Sequence, residues 1–116
     1  MIVQGNNVLR NVHGISDTEK GQAMDFIRTL VDKRLNASST AIFRAVDLMG
    51  RQVFPTWSDT PLDPLYQYYY GKRPDNQYAM RQAGIAAGYL LKRVIENDSR
   101  SFAFIRGYKN GYRLLS

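Results

Sequence analysis

"PDNQYAMRQAGIAAGYLLKRVIENDSRSFAFIRGYKNGYRLLS", residues 74–116, holds one helical period followed by one strand-like pattern, and the fold turns on how the two meet. Asp75 or Asn76 can cap a helix just after Pro74. At 100° per residue, Ala79, Ala83, Ala86, Ala87, Leu90, Leu91 and Val94 gather on one side. Tyr78, Arg81, Ile85, Gly88 and Lys92 fall on the other, with Gln82 and Tyr89 beside them. The spacing predicts a helix over 76–97. "SFAFIRG" and "GYRLL" are then rich in aromatic and aliphatic residues, and Asn110-Gly111 is a short-turn signal. A hairpin over 101–115 follows, with Arg106, Lys109 and Arg113 around its turn and Tyr108 and Tyr112 between them.

The charge distribution sets this C-terminal part apart. Residues 1–71 hold seven Lys/Arg and seven Asp/Glu, whereas residues 72–116 hold nine against three. The net charge of +6 therefore lies wholly in the last 45 residues. Segregation of this kind builds a directed positive field suited to a polyanion. At 116 residues the chain has the size of a single domain, 1–116, with one core. It has no cysteine, which excludes disulfides and thiolate chemistry, and no apolar run near the roughly 20 residues that span a bilayer. The first residues lack the pattern of a secretory signal, so a cytoplasmic location is expected, with no membrane partner.

Upstream, residues 2–12 read as a short strand or an extended arm. "ISDTEKGQAMDFIRTLVDKRLN" opens with Ser16 three residues before Glu19, the spacing of a capping box, and Ala23, Phe26, Ile27, Leu30 and Val31 form an apolar stripe. "NASSTAIFRAVDLMG" predicts a second helix capped by Ser38 or Ser39, burying Ile42, Ala45, Val46 and Met49 and stopped by Gly50. All four prolines lie in residues 51–75, which read as a proline- and tyrosine-rich connecting loop. Its "LYQYYYG" places Tyr66, Tyr68, Tyr69 and Tyr70 close together, as a short helix or a short strand, more suited to a small core or an interface than to stacking on bases.

Helix, helix, longer helix and basic hairpin make a mainly α chain with a small β component, in the order of a winged helix-turn-helix. At the residue level the chain resembles the DNA-binding domain of OmpR/PhoB-type response regulators. "ISDTE" resembles the start of that family's first helix, "AIFRAVDLMG" the segment before its transactivation loop, and "YLLKRVIENDSRSFAFIRG...GYRLL" the end of its recognition helix and its wing. The likeness covers most of residues 15–115. Three residues, Tyr108, Lys109 and Asn110, separate Gly107 from Gly111 where the family pattern has one, and the 51–75 segment is longer than the family's loop. No receiver domain precedes the helices, so a stand-alone regulator is expected.

The resemblance implies sequence-specific binding of double-stranded DNA, with helix 76–97 reading the major groove and hairpin 101–115 contacting backbone or minor groove. Arg81 and Gln82 would meet base edges, with Gln77, Tyr78, Ile85 and Tyr89 on the same face. Lys72, Arg73, Lys92 and Arg93 would clamp phosphates, and Arg106, Tyr108, Lys109, Asn110 and Arg113 would form the wing. A homodimer is expected, because two half-sites multiply affinity. The alternative is an adaptor on the same fold, meeting RNA polymerase or another regulator through residues 65–70. His13 is the only histidine, no cluster has metal-ligand spacing, and no phosphate-cradling glycine motif occurs. Neither enzymatic activity, nor a metal, nor a cofactor is expected.

Overall fold

The computed structural model describes residues 1–50, 56–107 and 110–116. Strand β1 (Ile2–Gln4) is followed by helix α1 (Asp17–Ala37), strand β2 (Phe43–Arg44) and helix α2 (Ala45–Met49). Helices α3 (Asp63–Lys72) and α4 (Asn76–Asn97) come next, and strands β3 (Phe102–Ile105) and β4 (Gly111–Leu114) close the chain.

Local chemistry sets the two long helices. Ser16 Oγ accepts from the Glu19 amide at 3.0 Å while Glu19 Oε1 accepts from the Ser16 amide at 2.9 Å, so the expected capping box forms. The buried stripe of α1 is Ala23, Ile27, Val31 and Leu35; Phe26 and Leu30 pack partly buried beside it. Asp75 caps α4 through the Tyr78 amide, and Ala79, Ala83, Ala86, Ala87, Leu90, Leu91, Val94 and Ile95 are buried. Four alanines along one side let neighbouring helices approach the α4 backbone closely.

Three expectations are corrected. First, the second helix is only Ala45–Met49. Residues 43–44 leave the helical pattern because Phe43 pairs with Tyr112 and Arg44 with Gly111, joining β2 to β4. Phe43 is fully buried against Phe102 and Tyr112, whereas Ile42, expected in the core, is exposed. A tertiary pairing that buries a phenylalanine overrides local helix propensity. Second, residues 51–75 are not only a connecting loop, since α3 occupies Asp63–Lys72 and makes four helices rather than three among the described residues. Pro64 lies in its first turn, where the missing amide costs no hydrogen bond.

Third, Asn110-Gly111 is not a two-residue turn. Residues 106–110 separate the strands, and Gly111 already pairs with Ile105 as the first residue of β4. The glycine answers a packing need, because a Cβ there would lie 2.8 Å from Ile42 Cγ2.

The sheet runs β1-β3-β4-β2, with β1 parallel to β3 and the other pairs antiparallel. Phe102, Phe104, Tyr112 and Leu114 share the face that meets the helices, and Ala103 and Arg113 share the other. The core lies between that inner face and α1, α3 and α4, with α4 touching every other helix. Arg100 ties the far end of α4 to α1, pairing with Asp98 at 2.8 Å and Asp32 at 2.7 Å.

Candidate nucleic-acid interface

The outward side of α4 divides into two halves with different surroundings. In its N-terminal half, Gln77, Arg81 and Ile85 are exposed, and Tyr78 and Gln82 are half-buried beside them. Two cations of the preceding turn stand near the helix start. The Arg73 guanidinium lies 5.1 Å over the Tyr78 ring and pairs with Asp75 at 3.6 Å, and Lys72 Nζ lies 5.2 Å over the Tyr68 ring. Both Lys72 and Arg73 are exposed, so these contacts leave them open to an external anion.

The C-terminal half is covered by the segment that joins β1 to α1. Arg93 Nη2 donates to the Arg10 carbonyl and to Asn11 Oδ1, and the Arg10 guanidinium sits 5.9 Å over the Tyr89 ring. Val12 is buried, and Gly14 presses so closely on Tyr68 that a Cβ would overlap the ring. Tyr89 and Arg93, both expected to face a ligand, are therefore half-buried and engaged by the chain's own arm.

Lys92 links the helix to the hairpin. Its Nζ lies 4.1 Å over the Phe104 ring, and its proton affinity is lowered by burial first and by the charge of Arg10 next; Glu96 opposes the shift and Arg106 adds to it. Arg106 and Asn110 are exposed near the turn, while Arg113 leaves the sheet on the face opposite Tyr112. Tyr108 and Lys109 lie outside the described residues.

Between α4, α2 and the arm runs a groove of about 650 Å³. Arg10, Arg44, Arg81 and Lys92 line it, with Met49, Trp57, Met80 and Ile85 as its apolar part, and no described lining residue carries a carboxylate. Trp57 is buried there, its indole Nε1 donating to the Met49 carbonyl at 2.9 Å. The sequence reading missed Arg10 and Arg44, because they belong to the charge-balanced first 71 residues. Only the closure of β2 on β4 and the crossing of the arm over α4 bring them here.

The tyrosine segment is mainly internal. Tyr66 is buried, its hydroxyl donating to Asn76 Oδ1, and Tyr68 and Tyr69 pack edge to face at 4.9 Å while half-buried. Only Tyr70 of that cluster is exposed. Among the described residues, no three of His, Cys, Asp and Glu gather as a metal site, and no helix is long and apolar enough to cross a membrane. Comparison with family models, with curated proteins and with solved structures finds no match to this chain.

Proposed function

We propose that this chain is a winged helix that binds double-stranded DNA sequence-specifically and acts as a small cytoplasmic transcriptional regulator. The N-terminal half of α4 enters the major groove, and the β3–β4 hairpin meets the neighbouring backbone or minor groove. The observation that carries this reading is the exposed row Gln77, Arg81 and Ile85, beside a groove lined by Arg10, Arg44 and Lys92 with no carboxylate among its described lining residues; Arg106 adds its charge near Lys92. Such a row combines donors suited to base edges with cations suited to phosphates. The hairpin following a long last helix is in keeping with the resemblance to the OmpR/PhoB-type domain, while α3 is an addition to its expected three-helix order.

The adaptor alternative needs Tyr66 to Tyr70 as a solvent-facing patch beside a covered α4. With Tyr66 buried and Arg81 and Ile85 exposed, that condition is not met, and the DNA reading is preferred. A homodimer on two half-sites remains part of the proposal.

Fluorescence anisotropy of duplex DNA, titrated across salt concentrations, tests it. If Arg81, Lys92, Arg106 and Lys109 each neutralise one phosphate, the slope of log K against log salt is about −3.6. Arg81→Ala should weaken cognate binding by about 1–3 kcal/mol and relax specificity at one base pair. No duplex binding at low salt, or binding indifferent to Arg81→Ala, would overturn the proposal. Selection of bound sequences from random duplexes gives the target, and a palindromic motif would support the dimer.

A further inference from the structure

The groove beside α4 has features that a phosphate backbone does not use. Its volume of about 650 Å³ is that of a small-ligand site. Gly84 and Gly88, one turn apart on α4, present no side chain to it, and a Cβ built on either would meet nothing within 4 Å. Met49 and Trp57 close the apolar side, while Ile85, 42% exposed, and Val8, 66% exposed, leave apolar surface at the mouth. Phosphates gain nothing from a recessed apolar channel, whereas a hydrocarbon body would remove this surface from water.

Charge chemistry specifies the other end of the ligand. Lys92 is half-buried among Arg10 and Arg106 and has a single opposing carboxylate, Glu96. A crowded, partly desolvated ammonium gains more from an added anion than one in open water does. Arg81 is eleven residues from Lys92 on the same helix, about 16 Å at 1.5 Å per residue, so a single carboxylate does not bridge both. Arg10 and Lys92 thus form the cationic end of the groove, and the glycine channel leads from it towards Met80 and Ile85.

We infer that this groove binds a small apolar monoanion, its carboxylate held between Lys92 and Arg10 and its hydrocarbon or aromatic body lying over Gly84 and Gly88 against Met49 and Trp57. The site stands whether or not the chain binds DNA, since Lys92 and the glycine channel are tested without it. Trp57, the only tryptophan, lies in the groove wall and reports occupancy through its emission.

Binding of matched triplets to the full chain tests the inference, each triplet carrying carboxylate, primary amide and ammonium on octyl, phenylpropyl or naphthylmethyl skeletons. Calorimetry, supported by Trp57 emission for the octyl set, should show at least one carboxylate binding roughly tenfold or more tighter than its amide, with the ammonium weaker still. Lys92→Gln should remove the preference for the carboxylate, and Gly84→Leu, which fills open space, should abolish binding while leaving the thermal melt intact. Gln77→Ala, at a residue of the exposed row that does not line the groove, should leave ligand affinity unchanged while lowering DNA affinity, which separates this site from the DNA reading. The inference is overturned if no carboxylate binds, if amides or ammoniums bind equally well, or if the preference survives Lys92→Gln.

Discussion

Alanine placed at Gly5 and at Gly21 should move stability in opposite directions. Gly5 holds φ at +88°, in the left-handed region, and a Cβ there would lie 2.4 Å from the Phe104 carbonyl oxygen, a backbone atom that cannot swing aside. The backbone strain alone costs roughly 1–2 kcal/mol. Relieving the overlap requires β1 to pull away from β3, which exposes Ile2, now 4% exposed, at about 1.5–3 kcal/mol. The strand can detach as a unit, so the value of its docking limits the loss, and Gly5→Ala should cost about 1.5–3 kcal/mol. At about 4 °C per kcal/mol for a domain of this size, the melting temperature falls by about 6–12 °C. Gly21 lies inside α1 with nothing within 4 Å of its missing Cβ, so Gly21→Ala should add about 0.5–1 kcal/mol. Thermal melts by circular dichroism, with urea midpoints, measure both. A Gly5→Ala protein melting within about 3 °C of the parent would refute the docking of β1 on β3, because strain and overlap together predict a larger loss.

Arg81→Ala should reduce the magnitude of the duplex-DNA salt slope by about one unit, the share of the phosphate it neutralises beside its base contact, whereas Arg93→Ala should leave the slope unchanged because Arg93 is held by Arg10 and Asn11. Equal slopes for the two variants would count against the division of α4 into an open and a covered half. Burial pushes the Tyr112 hydroxyl well above its ordinary pKa of 10.0, so the unfolded chain loses that proton first. Its contribution is intact below pH 10 and declines above it by about 1.4 kcal/mol per pH unit. Tyr112→Phe should flatten the fall of the urea midpoint between pH 10 and 11.5; the part due to Tyr69, raised by burial as well, should remain. The hydrogen bond from Arg100 holds the Asp98 carboxyl below its ordinary 3.8, so its stabilisation is present above that pH and is lost as pH falls through the folded value. Asp98→Asn should cost about 1.5–3 kcal/mol at pH 7, with a flatter acid limb in the same urea series.

How much of this was legible in the sequence follows from the range of the interactions involved. The ends of α1 and α4 were readable because their caps, Ser16 with Glu19 and Asp75 with the Tyr78 amide, join residues three apart. The buried alanines and leucines of α4 were readable for the same reason, since one helical period places them. The hairpin strands were readable, but their turn was not. Gly111 is small to admit Ile42, the residue just before β2 and about 70 positions earlier. The second helix was over-extended because Phe43 takes its conformation from Tyr112 on β4, a partner no local pattern reveals. Proline signals left "LYQYYYG" undecided between a short helix and a strand, although Pro64 sits where a helix tolerates it and the next proline, Pro74, follows its end.

Of the four cations that line the groove, the sequence reading had named Arg81 and Lys92 but not Arg10 and Arg44. Their own segment is charge-balanced, and they reach the groove only through the arm and through β2. Conversely, helical periodicity placed Tyr89 beside the free face, since it carries no information about a segment crossing from elsewhere in the chain.

The parallel pairing of β1 with β3 bears on the order of assembly. Ile2 sits opposite Phe102, 100 positions away, whereas β3 meets β4 across residues 106–110 alone. Closing the larger loop carries the larger entropic penalty, and β1 has no edge to join until the hairpin exists. During synthesis β1 must wait for about 100 further residues before its partner emerges. Until then Ile2 and Val12 have no core to enter, and the arm that crosses α4 remains unanchored at its β1 end. The surface of α4 is thus finished late, by residues made well before it.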